Sequence, residues 1–207
     1  NIQDESTGLA CKMLAPEKGM RVLDLCAAPG GKSAYIAALM GDEGEIIALD
    51  KYESRLKILG KNMNRLGIKS VQPVVKDALE YEADLFDRVL ADVPCSGTGT
   101  LSKKPDIKWK RHLLDIHIMN EIQTKLIRKA ASLVKPGGIF VYSTCSIEPE
   151  ENFNIVKAFL AENPNYKLLD AAEVFPEQHV DLEGCVQTLP HVHQVDGAFA
   201  AKIERIN

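Results

Sequence analysis

Arg21-Val22-Leu23-Asp24-Leu25-Cys26-Ala27-Ala28-Pro29-Gly30-Gly31-Lys32-Ser33 decides the fold. A short β-branched and leucine-rich run stops at a glycine turn. The turn opens onto Lys32 to Met40, where Tyr35, Ile36, Leu39 and Met40 are the apolar positions of a helix packed on a sheet. Strand, tight turn and helix in this order begin a βαβ unit.

The same alternation continues along the chain. Glu45 to Leu49 predicts a second strand ending at Asp50, and Glu53 to Leu66 an amphipathic helix with Gly67 as its C-cap. Val71 to Val75 predicts a third strand ending near Asp77, and Phe86 to Ala91 a fourth. A long helix over Leu113 to Leu133 stops before Pro136-Gly137-Gly138, Ile139 to Tyr142 is a fifth strand, and Glu150 to Ala161 another helix. Ser6 to Leu14 adds a short helix in front. The pattern predicts an α/β protein, its sheet mostly parallel with helices on both faces. Cys185 to Leu189 and Ala198 to Ile203 suit a terminal strand pair, one member antiparallel at the sheet edge.

The 207 residues suffice for one domain with a substantial core, and 45% hydrophobic with 26% charged residues is ordinary for a soluble globular chain. No apolar run approaches the roughly 18 to 20 residues that span a bilayer. The chain begins at Asn1-Ile2-Gln3-Asp4 without an initiator Met, as a piece of a longer protein would. Five cysteines, an odd number, match neither a disulfide framework nor a paired CxxC zinc site, which favours a reducing, cytoplasmic setting. Cys11 and Cys185 lack a reactive context. The net charge of −4 excludes a chain that grips nucleic acid by its overall field. One segment departs from that average: Lys103 to Arg111 holds five cations and Trp109 in nine residues, which suits a loop contacting phosphates and bases.

Acids close three successive strands, at Asp50, Asp77 and Asp92. The glycine turn lets the backbone approach a ligand, and an acid after the second strand suits both ribose hydroxyls. This predicts a nucleotide-like cofactor. The turn is not GxGxxG, which disfavours NAD, and Gly30-Gly31-Lys32-Ser33 lacks the earlier glycine of an ATP-binding loop.

Two cysteines stand in matching places, Asp92-Val93-Pro94-Cys95 and Ser143-Thr144-Cys145-Ser146, each just after a strand. Thiols delivered to the carboxyl ends of parallel strands suit a covalent bond to sulfur that is made and later broken. Such chemistry fits an adenosyl-methyl donor and a cytosine acceptor. Thiolate addition to C6 makes C5 nucleophilic, and a base must then remove the C5 proton so that sulfur can leave. Chemistry alone does not decide which thiol attacks. Asp92 suits the cytosine amino group or the cofactor's amino group, and a structured target base would have to be unstacked.

These motifs resemble those of the RNA 5-methylcytosine methyltransferases, and the resemblance covers nearly the whole chain. Asp24 to Ser33 looks like the family's cofactor motif, Asp92 to Gly97 its Pro-Cys motif, and Ser143 to Asn152 its Thr-Cys motif. Pro105 to Trp109 and Asp196 to Phe199 are similar as well, the former most like the bacterial small-subunit (16S) rRNA enzymes. The resemblance implies the Rossmann-like fold of S-adenosylmethionine-dependent methyltransferases, a mostly parallel seven-stranded sheet with an antiparallel edge strand. It implies Cys145 as nucleophile, Cys95 in product release, and Asp92 beside them in the catalytic group. It also implies that Cys26, Ala27, Ala28, Pro29, Gly30, Gly31, Lys32, Asp50, Asp77 and Asp92 bind S-adenosylmethionine, with Asp77 near the adenine. The substrate it implies is cytosine C5 in RNA, most naturally 16S rRNA. Residues 1–207 would then be a single catalytic domain, the C-terminal part of a protein whose RNA-binding domain precedes it. Val93 departs slightly from the small residue usual there. A tRNA substrate and a catalytically silent ribosome-assembly module are the competing functions.

Other residues carry expectations too. His191 and His193 alternate, so on a strand they share one face and form an edge of the cleft or, less simply, two metal ligands. Lys32 faces the cofactor carboxylate, the nucleic acid or solvent. Arg55 reads as a surface residue, and Trp109 as a stacking platform.

Overall fold

The computed structural model describes residues 4–207. Elements follow one another as α1 (Glu5–Leu14), β1 (Arg21–Asp24), α2 (Gly31–Leu39), β2 (Glu45–Asp50), α3 (Glu53–Leu66), β3 (Val71–Val75) and β4 (Phe86–Asp92). Then come α4 (Ile107–Lys110), α5 (Leu113–Leu133), β5 (Val134–Thr144), α6 (Phe153–Glu162), β6 (Tyr166–Leu169), β7 (Val186–Thr188), α7 (Pro190–His193) and β8 (Ala198–Arg205). The sheet runs β3-β2-β1-β4-β5-β8-β6, with β7 also paired to β8. β1 to β5 are mutually parallel, and β8 runs antiparallel to β5, β6 and β7. Strand order reverses at β1, between β2 and β4, which is where open parallel sheets bind ligands.

Period-two alternation sorts the sheet into two cores. Leu23, Val89, Phe140 and Tyr142 face α5 and α6, which contribute Leu126, Ile127, Ala130, Val156 and Phe159. Val22, Ile46, Leu90 and Val141 face the other way, onto Leu14 of α1, Ile36 of α2 and Leu59 of α3. Helices therefore cover both faces, as the sequence pattern predicts.

The strand count is eight rather than seven. The additional strand is β6, a four-residue edge outside β8, held by Tyr166, whose ring meets Phe159 at 5.2 Å and Phe140 at 6.0 Å. Its shortness and lack of alternation hide it from the sequence. β5 also starts earlier than expected. Pro136-Gly137-Gly138 belongs to a bulge between the pairs Phe86↔Val134 and Arg88↔Ile139. His191 and His193 lie in the short helix α7, not on a strand, because the chain turns at Leu189-Pro190. They share no strand face. The two nitrogens of His193 instead meet Leu189 and Gln178, and its ring stacks on His179 at 5.1 Å.

Gly30 has a structural reason beyond ligand approach. Its φ is +99°, and a Cβ there would lie 2.6 Å from Cγ of Leu59. Gly99 is a second close approach: it donates to the carbonyl of Cys145 and accepts from Gly197, and a Cβ would lie 2.1 Å from the Gly197 oxygen. Among the described residues, no helix is long and apolar enough to cross a membrane.

Asp24 ends β1 inside the protein. Its Oδ2 accepts from the Ser33 hydroxyl at 2.7 Å, while Oδ1 is buried without a hydrogen-bond partner among the described residues. Burial pushes its carboxyl up to about 7, against the Ser33 bond. Between the ordinary value of 3.8 and about 7, the folded chain holds a proton that the unfolded chain has lost. Stability therefore falls as pH rises through that window. Relative to Asp24→Asn, which cannot ionise, the native chain should lose up to about 1.4 kcal/mol per pH unit there. Thermal melts of both proteins between about pH 5 and about pH 7 measure it; a constant difference in Tm would refute it.

Candidate active site

Five strand ends deliver the residues of the site. β1 leads into the Cys26 to Gly30 turn, whose Gly30 nitrogen donates to the Ala27 carbonyl at 2.8 Å. β2 ends at Asp50, whose Oδ1 accepts from the Tyr52 N–H and whose Oδ2 pairs with Arg55 at 2.9 Å. Arg55 also donates to the Ala28 carbonyl at 2.6 Å. It lies at the surface as expected, half exposed, yet fixes the acid to the glycine turn and is a structural part of the site. Its place one turn into the helix after Asp50 was the available signal. Beyond β3, Asp77 caps a single 3-10 turn through Leu79 N–H.

One cleft of about 560 Å³ joins these acids to the two thiols. Cys26, Ala28, Asp50, Asp77, Asp92, Cys95 and Cys145 all line it, with Leu25, Ile122 and Leu126 supplying apolar wall. The volume lies within the usual range for ligand pockets, about 300–1,000 Å³. Ala27, Pro29, Gly30 and Gly31 shape the turn behind the wall. Acids for polar hydroxyl and amino groups beside an apolar wall fit an adenosyl cofactor. Among the described residues no group of three or more His, Cys, Asp or Glu is arranged to hold a metal ion.

Asp92 and Lys32 form the site's ion pair, 2.7 Å apart and largely shielded from solvent. Lys32 is therefore not the solvated lysine of a first helical turn. Burial opposes its charge, but the adjacent Asp92 carboxylate outweighs it and holds the ammonium above its ordinary value. Asp92 also accepts from the Ser143 hydroxyl at 2.8 Å, across the β4–β5 pairing.

The two thiols meet. Cys95 Sγ and Cys145 Sγ are 3.0 Å apart, although fifty residues separate them in sequence. Their environments push them in opposite directions. The hydrogen bond with Cys145, together with burial, pushes the Cys95 thiol well up. The bond from Cys95 lowers Cys145, assisted by the charges of Lys32 and Lys104 and opposed by burial and Asp92. Of the two, Cys145 is accordingly the thiol that gives up its proton more readily. Cys26 also faces the cleft, but burial and the neighbouring carboxylates push it up, so it stays protonated. Cys11 and Cys185 are buried thiols.

Beneath the thiols lies a group that the sequence offers only as one member of the Ser143 to Asn152 motif, with no role of its own. Glu151, fully buried, accepts from Ser96 N–H at 2.8 Å and Gln123 at 3.0 Å through Oε1. Its Oε2 accepts from the hydroxyls of Ser96 and Ser146. The acidic run Glu148 to Glu151 hid it among residues of the same type.

Above the cysteines, the basic segment is partly committed internally. Lys103 pairs with both Asp4 and Asp196, and Arg111 donates to the Ser96 carbonyl at 2.9 Å. Lys110 meets Asp106 only at the surface. Trp109 is 79% exposed, with Lys108 Nζ 5.4 Å from its ring centre.

The profile of the family described as 16S rRNA methyltransferase RsmB/F matches residues 11–204. A probable ribosomal RNA small subunit methyltransferase B of Bacillus subtilis is 38% identical over 212 residues, covering 99% of this chain and 47% of that protein. The 25S rRNA (cytosine-C(5))-methyltransferase nop2 of Schizosaccharomyces pombe is 35% identical, covering 100% of this chain and 37% of its own length. The chain thus spans half or less of the length of these curated relatives. The crystal structure of NSun6 from Pyrococcus horikoshii with SFG superposes with a TM-score of 0.90 at 32% identity, over 99% of this chain and 53% of that one. With the two-cysteine geometry and the parallel sheet already established, the profile match places this chain in the 16S rRNA methyltransferase RsmB/F family.

Proposed function

We propose that this chain catalyses S-adenosylmethionine-dependent methylation of cytosine C5 in RNA, with 16S rRNA as the substrate. The observation that carries the proposal is the Cys95–Cys145 contact at 3.0 Å in the wall of the cleft. The substrate follows from the family and from the names of relatives.

S-adenosylmethionine, when bound, supplies an electrophilic methyl group. Asp50 and Asp77 would hold its ribose and adenine, and the Cys26 to Lys32 turn would support it from behind. Asp92, next to Cys145 in the cleft wall, would accept from the cytosine 4-amino group, a donor that uracil lacks. The lone pair of the Cys145 thiolate forms a bond to C6, and the C5=C6 π pair shifts onto C5, which becomes nucleophilic toward the donor methyl group.

Cys95 then acts as the base. In the free protein its proton is held by the hydrogen bond to Cys145, by burial and by the charge of Cys145. The first and last of these are relieved once Cys145 is bonded to carbon, while burial remains. Cys95 then releases its proton to solvent through the open cleft and, as thiolate, takes the C5 proton. The C–H electron pair re-forms the C5=C6 bond and expels Cys145 as thiolate, which restores the starting state.

Incubating the chain with methyl-labelled S-adenosylmethionine and unmodified 16S rRNA or 30S particles, with total tRNA in parallel, should place label in 5-methylcytidine of rRNA. Label confined to tRNA would replace the substrate; none with either RNA would reject the activity for this chain. Cys145→Ala should abolish transfer while cofactor binding, followed by calorimetry, persists; normal turnover would remove Cys145 as nucleophile. Cys95→Ala should accumulate a denaturant-stable protein–RNA adduct, and adduct formation should require higher pH because Cys145 loses its donor. Trp109→Ala should weaken RNA binding by about 1–3 kcal/mol, the worth of one stacked base. Equal affinity in filter binding would return Trp109 to mere surface.

A further inference from the structure

We propose that Glu151 is a positioning residue that ties the two cysteine loops together and assigns their shared proton to Cys95, leaving Cys145 free to attack. The inference rests on the roles given above to the two thiols. Its geometry is independent of them.

Ser96 follows Cys95 and Ser146 follows Cys145 in sequence, and the hydroxyls of both serines donate to the same oxygen, Oε2 of Glu151, at 2.5 Å. Oε1 takes the Ser96 N–H and the Gln123 amide, and Gln123 in turn donates to the Pro94 carbonyl at 2.9 Å. Thr98 and Ser146 contact each other at 3.2 Å, and Ile147 N–H donates to Thr98. Tyr142 holds the backbone of the acid itself, donating to the Glu151 carbonyl at 2.6 Å. One buried carboxylate thus sets the separation of two loops that meet nowhere in sequence.

Burying a carboxylate costs several kcal/mol unless hydrogen bonds offset it. An amide of the same shape would fill the same volume, but its nitrogen would face one pair of the donors that the carboxylate accepts from. Besides those acceptor contacts, the charge supplies an electrostatic bias. After the Cys145 hydrogen bond and burial, Glu151 is among the influences that hold the proton on Cys95. Cys145 feels a different set: Lys32 and Lys104 favour its charge, and Asp92 opposes it. Tyr142, the other titratable group beside the pair, is pushed well up by burial, then by Cys95 and Glu151, and stays neutral. The contacts of the acid are weighted the same way: Ser96 N–H, the Ser96 hydroxyl and Gln123 tie it to the Cys95 loop, against the single Ser146 hydroxyl.

The test reads the free protein, so failure of methyl transfer would not affect it. Initial rates of iodoacetamide alkylation at Cys145 and Cys95 are followed by peptide mass spectrometry as a function of pH, with circular dichroism melts to confirm folding. The native chain should favour Cys145. Glu151→Gln should reduce the Cys145:Cys95 ratio roughly tenfold, the consequence of about one pKa unit of relative shift, and lower the midpoint for Cys95. Ser146→Ala and Ser96→Ala keep the charge but each removes one tether, and should lower the ratio less. An unchanged ratio and midpoint in folded Glu151→Gln would overturn the proposal. If that variant does not fold, unchanged ratios in both serine variants would overturn it, and lowered ratios would uphold it.

Discussion

The parallel pairing of β4 with β5 is the constraint on which the site depends. Asp92 lies opposite Ser143 in that ladder, so both strands end at the same level. Neighbouring strands lie about 4.8 Å apart, and loops leaving them side by side must share space. Cys95 and Cys145 emerge from those loops three and two residues later, which brings their sulfurs to 3.0 Å. The ladder continues past the strand ends, with Val93 N–H donating to the Ser143 carbonyl and Gly99 N–H to that of Cys145. A register slip of one residue would send Ser143 to the opposite face and part it from Asp92.

Two identical side chains gain different chemistry from that arrangement. Neither thiol is distinguished by its own structure; the difference lies in which charges surround it. Cys145 is exposed and has Lys32 and Lys104 within electrostatic reach, whereas Cys95 is more enclosed and has Glu151 beneath its loop. Each thiol also conditions the other, because a proton shared between two sulfurs stabilises a single negative charge. On the proposed mechanism, this makes Cys145 the nucleophile and Cys95 a base released when the nucleophile is consumed.

Much of this was legible in the sequence because it is local. The strand-turn-helix of Arg21 to Met40, the acids at strand ends and the two cysteine contexts each occupy fewer than about twenty residues, and the backbone placed them as their patterns required. What was hidden is long-range. The Lys32–Asp92 pair joins residues sixty apart, and Glu151 joins a loop fifty-five residues before it to one five residues before it. Arg55 looked like solvent-facing helix because nothing in its own segment shows the Ala28 carbonyl. β6 escaped because an edge strand of four residues owes its place to Tyr166 packing on two distant rings, not to a periodic pattern. The His191–His193 expectation failed for a local reason, since Pro190 fits the first turn of a helix.

The Lys32–Asp92 pair resolves a conflict within the site. In the proposed reaction, a carboxylate suited to a cytosine amino group must stand close to the thiolate that attacks the same base, and like charges in proximity oppose one another. Asp92 does push Cys145 up, and Lys32 pulls it down. Shielding such a pair from water is costly, and a pair of apolar side chains would fill the space at least as favourably. Its presence is therefore explained by chemistry rather than stability. Lys32 balances the Asp92 carboxylate and at the same time favours the charged form of the neighbouring sulfur. The ammonium belongs to the first turn of α2 and the carboxylate to the end of β4, so the cofactor motif and the Pro-Cys motif share one electrostatic unit.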